Sequence, residues 1–238
     1  MSAPVVLITS HRGGAMKTSL TLALAMTLAK DGSNVVIVDP SIAGGASSIG
    51  APQQPAGTRE TDQGIRHHES LPITFLSRPG SLGSLEQIED LLDGANRERA
   101  DVILVDSHSL NRSEVELITR FATLVIAAAP AGVIPFRSLP PFLEMLRELR
   151  AQPGRSFSVL GVMTGVGATR GTDADLERHT QRQLAPIVSS GVFPHDESWR
   201  VAISKGEIPP PPPPKSFMDS NLRLIAKDVT GAIEKVSL

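Results

Sequence analysis

Short runs of Val, Ile and Leu alternate along the chain with segments whose apolar residues recur every three or four positions. The runs VVLIT (5–9), VVIVD (35–39), ITFL (73–76), DVILVD (101–106), TLVIAAA (123–129) and FSVLGVMT (157–164) predict strands. Between the first two, residues 17–31 predict a helix with Leu20, Leu24 and Leu28 in register and Gly32 as its stop. Ser84 followed by Gln87 is a capping-box start for another helix, with Leu85, Ile88, Leu91 and Leu92 as its apolar face. Residues 138–150 carry Leu139, Leu143, Leu146 and Leu149 on one side. Thr172 and Asp175 cap a helix carrying Leu176, Leu184 and Ile187, and residues 218–236 close the chain as a helix.

Strands that are apolar at every position have no face to give to water, so both faces must be covered. Together with the interleaved amphipathic helices, they predict an α/β fold: a doubly wound, mostly parallel sheet with helices on both faces, formed by residues 1–238 as a single domain. Two segments break the pattern. Residues 51–70 read as a polar loop, and residues 209–214 are six consecutive prolines, which must be extended and stiff. That run reads as a rigid spacer before the last helix; the alternative is a ligand for a proline-reading domain.

Composition narrows the chemistry by exclusion. The chain has no cysteine, so a disulfide framework, a thiolate metal site and an iron–sulfur cluster are all ruled out. Aromatic residues make up 3%, too few for a stacking platform for single-stranded nucleic acid. No apolar run reaches membrane-spanning length, and the first residues lack the basic and long apolar regions of a secretory signal. The net charge of −2 conceals an asymmetry: residues 1–119 hold 9 basic and 14 acidic side chains, residues 120–238 hold 14 and 11. The second half is a candidate polyanion surface, set against the plainer reading of an ordinary solvated face.

Candidate chemistry concentrates in ITSHRGGAMKTSL, residues 8–20. A strict phosphate-binding loop, G-x-x-x-x-G-K-[ST], needs glycine where His11 and Met16 stand. Yet Gly13, Gly14, Lys17, Thr18 and Ser19 are in place, between a strand and a helix. Backbone N–H groups and a helix N-terminus there suit an anion. Lys17 is placed for β- and γ-phosphates, and the Thr18 hydroxyl for Mg²⁺. His67, His68 and Glu69 read as a solvated loop, because adjacent histidines without a defined third ligand make a poor metal site.

The segment R-G-G-A-M-K-T-S resembles the deviant phosphate loop, K-G-G-x-x-K-[ST], of the ParA/MinD-type ATPases. The resemblance continues through GSNVVIVD and SIAGGASS, similar to the family's second strand and switch I, and through DVILVD, similar to its Walker B strand. LVIAAAPAGVIPFRSLPPFLEMLREL and RVAISKGEIP (200–209) resemble later parts of the family fold, the latter just before the nucleotide-base loop. The length suits the short plasmid-partition members. The resemblance implies ATP and Mg²⁺ as cofactors, with Gly13, Gly14, Ala15, Met16, Lys17, Thr18, Ser19 and Pro209 around the nucleotide. It implies Thr18 and Asp106 at the metal, and Lys17, Arg12, Asp39 and Asp106 as catalytic groups.

Three positions depart from the family pattern. Met16 stands where a positive φ favours glycine, at a cost of roughly 1–2 kcal/mol, although some partition ATPases carry a bulky residue there. Arg12 replaces the signature lysine that crosses the dimer interface; it keeps the charge but not the geometry. In switch I, Ser41 stands where the family has its second acid, and a serine is no carboxylate at neutral pH. Hydrolysis is thus less secure than nucleotide binding. His108, just past Asp106, is a candidate nucleotide or metal-water contact.

What the resemblance implies for function is a cytoplasmic, nucleoid-associated ATPase. It would form a homodimer when ATP-bound, hold non-specific DNA and answer to a centromere-binding or cargo adaptor protein. The candidate DNA contacts are Arg178, Arg182, Arg200, Lys205 and Lys215. Two alternatives stand beside it. One is a hydrolysis-impaired scaffold or switch acting through a protein partner, suggested by Arg12 and Ser41. The other is a membrane-associated form using the tail LRLIAKDVTGAIEKVSL, whose apolar positions fit a packed last helix as well.

Overall fold

The computed structural model describes residues 2–40, 46, 64–68, 70–77, 84–107, 112–130, 133–167 and 174–236. All described strands join one sheet. In chain order they are β1 (Val5–Thr9), β2 (Val35–Asp39), β3 (Gly64–His67), β4 (Ile73–Ser77), β5 (Val102–Asp106), β6 (Leu124–Pro130), β7 (Ser158–Val166) and β8 (Phe193–Pro194). The helices are α1 (Lys17–Lys30), α2 (Leu85–Arg97), α3 (Arg112–Ile118), α4 (Val133–Arg150), α5 (Ala174–Leu184), α6 (Glu197–Ser204) and α7 (Phe217–Val236). The strand order is β3-β4-β2-β5-β1-β6-β7-β8, parallel throughout except for the β3–β4 pair.

The two-residue period of a strand divides the core into two layers. Val6 and Ile8 of β1, Val35 and Ile37 of β2, and Leu104 of β5 point to one side, where α1, α6 and α7 cover them. Val5 and Leu7, Val36 and Val38, and Ile103 and Val105 point to the other, against residues of α2, α3, α4 and α5. This is the doubly wound arrangement expected from strands without a polar face.

The elements that the sequence pattern missed are short or polar. Residues 64–67, assigned to the polar loop, form an antiparallel edge strand, GIRH; an edge strand with Ile65 43% exposed carries no buried alternation to detect. Residues 51–63 and 69 of that loop lie outside the described residues, as does Thr172. Helix α3 has seven residues and β8 two. Helix α6 had a readable start, since the Asp196 side chain accepts from Ser198 N and Trp199 N. Helix α4 begins five residues before the expected 138 and runs through Pro140 and Pro141. A helix-interior proline removes a hydrogen bond and crowds the preceding turn. Burial of Leu139, Phe142, Leu146 and Leu149 offsets that cost. Phe142 joins the expected face, on which Leu143 is partly buried against the same core layer, and Ile187 falls beyond the end of α5.

Helix α7 is packed, not free. Met218, Leu222, Ile225, Ala226 and Val229 are buried in the layer that covers β1 and β2. Gly191 lies so close to α7 that an added Cβ would sit 2.4 Å from the Asn221 carbonyl oxygen. Among the described residues, no helix is long and apolar enough to cross a membrane. Deleting residues 226–238 is therefore expected to abolish the cooperative unfolding transition, followed by circular dichroism. A truncated chain that still unfolds cooperatively would show that the tail is not part of the core.

Candidate functional site

The three central strands end in polar residues at one edge. Val38 pairs with Val105 and Ile8 with Asp106 in the parallel register, so Thr9, Asp39 and Asp106 come together where β1, β2 and β5 finish. All three are fully buried. In open α/β sheets, the crevice beyond the carboxyl ends of the strands is where ligands bind.

From β1 the chain turns through residues 10–16 into α1. Gly14 has φ +71° and Met16 has φ 57°, ψ 28°, the left-handed region. The sequence-based expectation of a positive φ before the lysine is met, and a side chain does occupy it. The Met16 side chain packs against the core layer that covers β1, with its sulfur beside Gly165 near the end of β7. Thr164 at the end of β7 donates its hydroxyl to the Ala15 carbonyl at 3.1 Å, fully buried. That bond fixes the loop from the sheet side. Helix α1 has no side-chain cap at its N-terminus, which leaves its first N–H groups to solvent or a ligand.

Lys17 is 8% exposed. Its ammonium donates to the Ser10 hydroxyl at 3.2 Å, and that hydroxyl in turn donates to the Arg12 carbonyl at 2.7 Å. Burial lowers the lysine pKa, with Asp106 pulling the other way. Asp106 Oδ2 accepts from the Thr18 hydroxyl at 2.8 Å and from Ala46 N at 3.2 Å; its Oδ1 accepts from Thr21 Oγ1 at 3.4 Å. Burial and the adjacent Asp39 carboxylate push Asp106 up to about 6, against opposing pulls from Thr18, Lys17 and Ala46.

These residues fit a nucleotide with its divalent cation. A buried ammonium whose hydrogen-bond partner is a neutral hydroxyl suits an anion. A carboxylate held next to a second carboxylate, with a threonine hydroxyl on it, suits a hard cation. The polyanion would supply the charge that Lys17 lacks, and the cation would offset the repulsion between Asp39 and Asp106.

The structure brings Gly13, Gly14, Ala15, Met16, Lys17, Thr18, Asp39 and Asp106 to this edge, with Ser19 on the first turn of α1. Arg12 is half-buried and its Nε donates back to the Gly13 carbonyl at 3.3 Å. Pro209 is buried at the start of the proline run. Ser41 and His108 lie outside the described residues. The five candidate DNA contacts sit on separate elements. Arg178 and Arg182 are on α5, Arg200 on α6, Lys205 at the C-cap of α6 and Lys215 before α7; all are exposed. Arg178 pairs with Asp175 and Arg200 with Glu197. His67 Nδ1 meets Thr74 Oγ1 at 3.0 Å across the β3–β4 pair, while His68 Nδ1 accepts from Ser70 N and Leu71 N in the turn that follows β3.

Sequence reasoning missed Ser10, Thr21, Thr164 and the Ala46 amide, none of which stands in a motif position that the loop pattern marks. It also passed over His11. Both His11 ring nitrogens are buried without a hydrogen-bond partner among the described residues, and the ring lies 5.9 Å from Phe142. Burial, then the Arg12 and Lys17 cations, lower its pKa to about 4.

The two shifts make opposite predictions for stability. Asp106 holds its proton more tightly folded than unfolded, so its contribution is present at low pH and is lost as pH rises from about 4 to about 6. For a group this buried the loss is roughly 3 kcal/mol. His11 holds its proton less tightly when folded, so its contribution is present above about 6.5 and lost as pH falls towards 4. Without nucleotide, the urea midpoint of Asp106→Asn is expected to rise with pH across this window, that of His11→Leu to fall, and that of the parent to be flatter than either. Parallel curves for all three proteins would refute both assignments.

No known protein-family profile matches the chain, and no curated protein matches it in sequence. Solved structures do match over nearly their whole length. MinD cell division protein from Aquifex aeolicus aligns with a TM-score of 0.72 at 18% identity, covering 96% of this chain and 98% of its own. The ParA family ATPase from Chlorobium tepidum aligns with a TM-score of 0.69 at 16% identity, covering 95% and 98%. A Cyanothece McdA variant in complex with ATP aligns with a TM-score of 0.68 at 15% identity, covering 100% and 98%. Strand order, loop position and these full-length alignments together show that the chain has the fold of the ParA/MinD-type P-loop ATPases.

Proposed function

We propose that the protein is an ATP-binding switch of the ParA type, which positions a plasmid, chromosome region or protein cargo through an ATP-dependent dimer on non-specific DNA. The observation that carries this reading is the buried constellation at the sheet edge: Lys17 and Thr18 at the start of α1, with Thr18 hydrogen-bonded to Asp106. ATP bound there with Mg²⁺ would supply a polyanion and the energy of γ-phosphate hydrolysis. Lys17 neutralises phosphate charge, and Thr18 and Asp106 hold the cation. Asp39 lies beside Asp106 and would serve as the remaining catalytic carboxylate of that segment. Arg12, at the rim of the loop, carries the positive charge that reaches the partner subunit's nucleotide.

DNA is held by the exposed basic residues of the second half. The ion pairs of Arg178 and Arg200 do not prevent this, because exposed pairs are weak and are readily exchanged for phosphate. An adaptor protein triggers release by stimulating hydrolysis. The solved relatives include MinD and McdA, and also a cobyrinic acid a,c-diamide synthase with bound ADP and magnesium, so the fold alone does not choose the reaction.

The test is retention on non-specific DNA with ATP, with ADP and without nucleotide. Retention is expected with ATP alone and is expected to be lost in Lys17→Ala. ATP-dependent retention without turnover, even with an adaptor present, would move the protein to the scaffold reading. Retention that ignores nucleotide would overturn the DNA-based cycle.

Reversing Arg200 and Lys205 to glutamate is expected to weaken DNA retention and to lower the slope of log affinity against log salt by about 2. An unchanged slope would remove these two residues from the DNA-binding surface.

A further inference from the structure

Ser10 is the residue at which the loop before α1 leaves the sheet. The strand end behind it is fixed from both sides: Thr9 pairs with Ala127 of β6, and Ser107 N, just past β5, donates to the Ile8 carbonyl at 3.1 Å. The Ser10 side chain therefore starts from a rigid point, and it is buried.

A hydroxyl has one proton to give and two lone pairs to offer. Ser10 gives its proton to the Arg12 carbonyl at 2.7 Å, two residues on, which bends the first half of the loop back on itself. One lone pair accepts from the Lys17 ammonium at 3.2 Å. Neither role can be reversed, since a carbonyl only accepts and an ammonium only donates. The bond to Lys17 closes residues 10–17 into a ring. Thr164 holds the far part of that ring through the Ala15 carbonyl.

A lysine stem is long and flexible, and its charged tip ordinarily reaches out to water. Lys17 does the opposite. It is buried, and among the described residues its ammonium has one hydrogen-bond partner, the Ser10 hydroxyl. Asp106 acts on it through its field. An ammonium carries three protons, so with one on Ser10 two are left for a ligand. A hydroxyl that only shaped the turn would need the Arg12 carbonyl alone. Here the same oxygen shapes the turn and holds the cation, so neither moves without the other.

We infer that Ser10 is a positioning residue: its hydroxyl holds the Lys17 ammonium ready for the outer phosphates of a nucleotide, and so sets the preference of the site for nucleoside di- and triphosphates over monophosphates. This deepens the ATP reading and rests on it. Holding the cation in place beforehand removes an ordering cost that each binding event would otherwise carry. The gain goes to ligands that reach Lys17 and to no others.

The test measures the dissociation constants of the full chain, with Mg²⁺, for ATP, ADP and AMP by calorimetry. Ser10→Ala is expected to weaken ATP and ADP about tenfold, as for the loss of one hydrogen bond to a charged group, and to leave AMP within about twofold. Ser10→Cys, similar in volume but a weak acceptor, is expected to behave in the same way. In the Lys17→Ala background, Ser10→Ala is expected to change the ratio of ATP to AMP affinity by less than about twofold, because the hydroxyl has no cation left to hold. Thermal unfolding of each variant controls for its fold. Unchanged ATP binding in Ser10→Ala and Ser10→Cys, or equal weakening of all three nucleotides, would overturn the inference and leave the ATP reading standing. So would a loss of selectivity in the Lys17→Ala background as large as in the parent. A parent chain that binds none of the three nucleotides would overturn the ATP reading, and this inference with it.

Discussion

The buried carboxylate of Asp106 is the interaction on which the rest of the site depends. It stands at the end of the strand between β1 and β2, out of reach of water. A lone buried charge is costly, so its oxygens are occupied by the Thr18 and Thr21 hydroxyls and the Ala46 amide. Those bonds tie the first turn of α1 and the segment after β2 to the sheet edge. Burial first, and then the Asp39 carboxylate beside it, still push its pKa up to about 6. A divalent cation would reverse that shift. The same residues that make the edge electrostatically uncomfortable therefore make it receptive.

The loop above that edge is held against its local preferences. Met16 occupies a left-handed backbone conformation that glycine adopts more readily. The surrounding contacts hold it: Thr164 grips the Ala15 carbonyl, and the Met16 side chain packs against the core layer. Strain at a single residue persists where neighbours enforce it, and such residues gather at functional sites. The backbone at Met16 is thus held in part by a strand residue far away in sequence.

The second layer of the molecule is organised around α7. This helix covers the central strands, and Gly191 lets the chain before β8 pass close to its backbone. The proline run leads into it, fastened at Ile208 and at Ser216. The basic residues of the second half are spread over α5, α6 and the turn before α7, some already paired with acids. The candidate site lies on the β1–α1 turn and the ends of β2 and β5, whereas these basic residues lie on α5, α6 and the turn before α7.

The sequence alone determined the six strands of the core and the α/β class, because a run such as VVIVD has no polar face and tolerates no solvent on either side. It also marked the candidate loop, since Gly14, Lys17 and Thr18 lie within one local turn, and it anticipated the backbone of Met16 from the same turn. It was silent where the determining contact is long-range. The GIRH edge strand exists because β4 offers it a pairing edge, not because its own residues alternate. Helix α4 runs through two prolines because its apolar face is buried. Ser10, Thr164 and Ala46 belong to the site because the strand order folds them onto it, and no spacing along the chain encodes that. The six prolines fixed their own shape, for their φ angles are set covalently. Which of them face solvent was decided only when Ile208 and α7 packed onto the sheet.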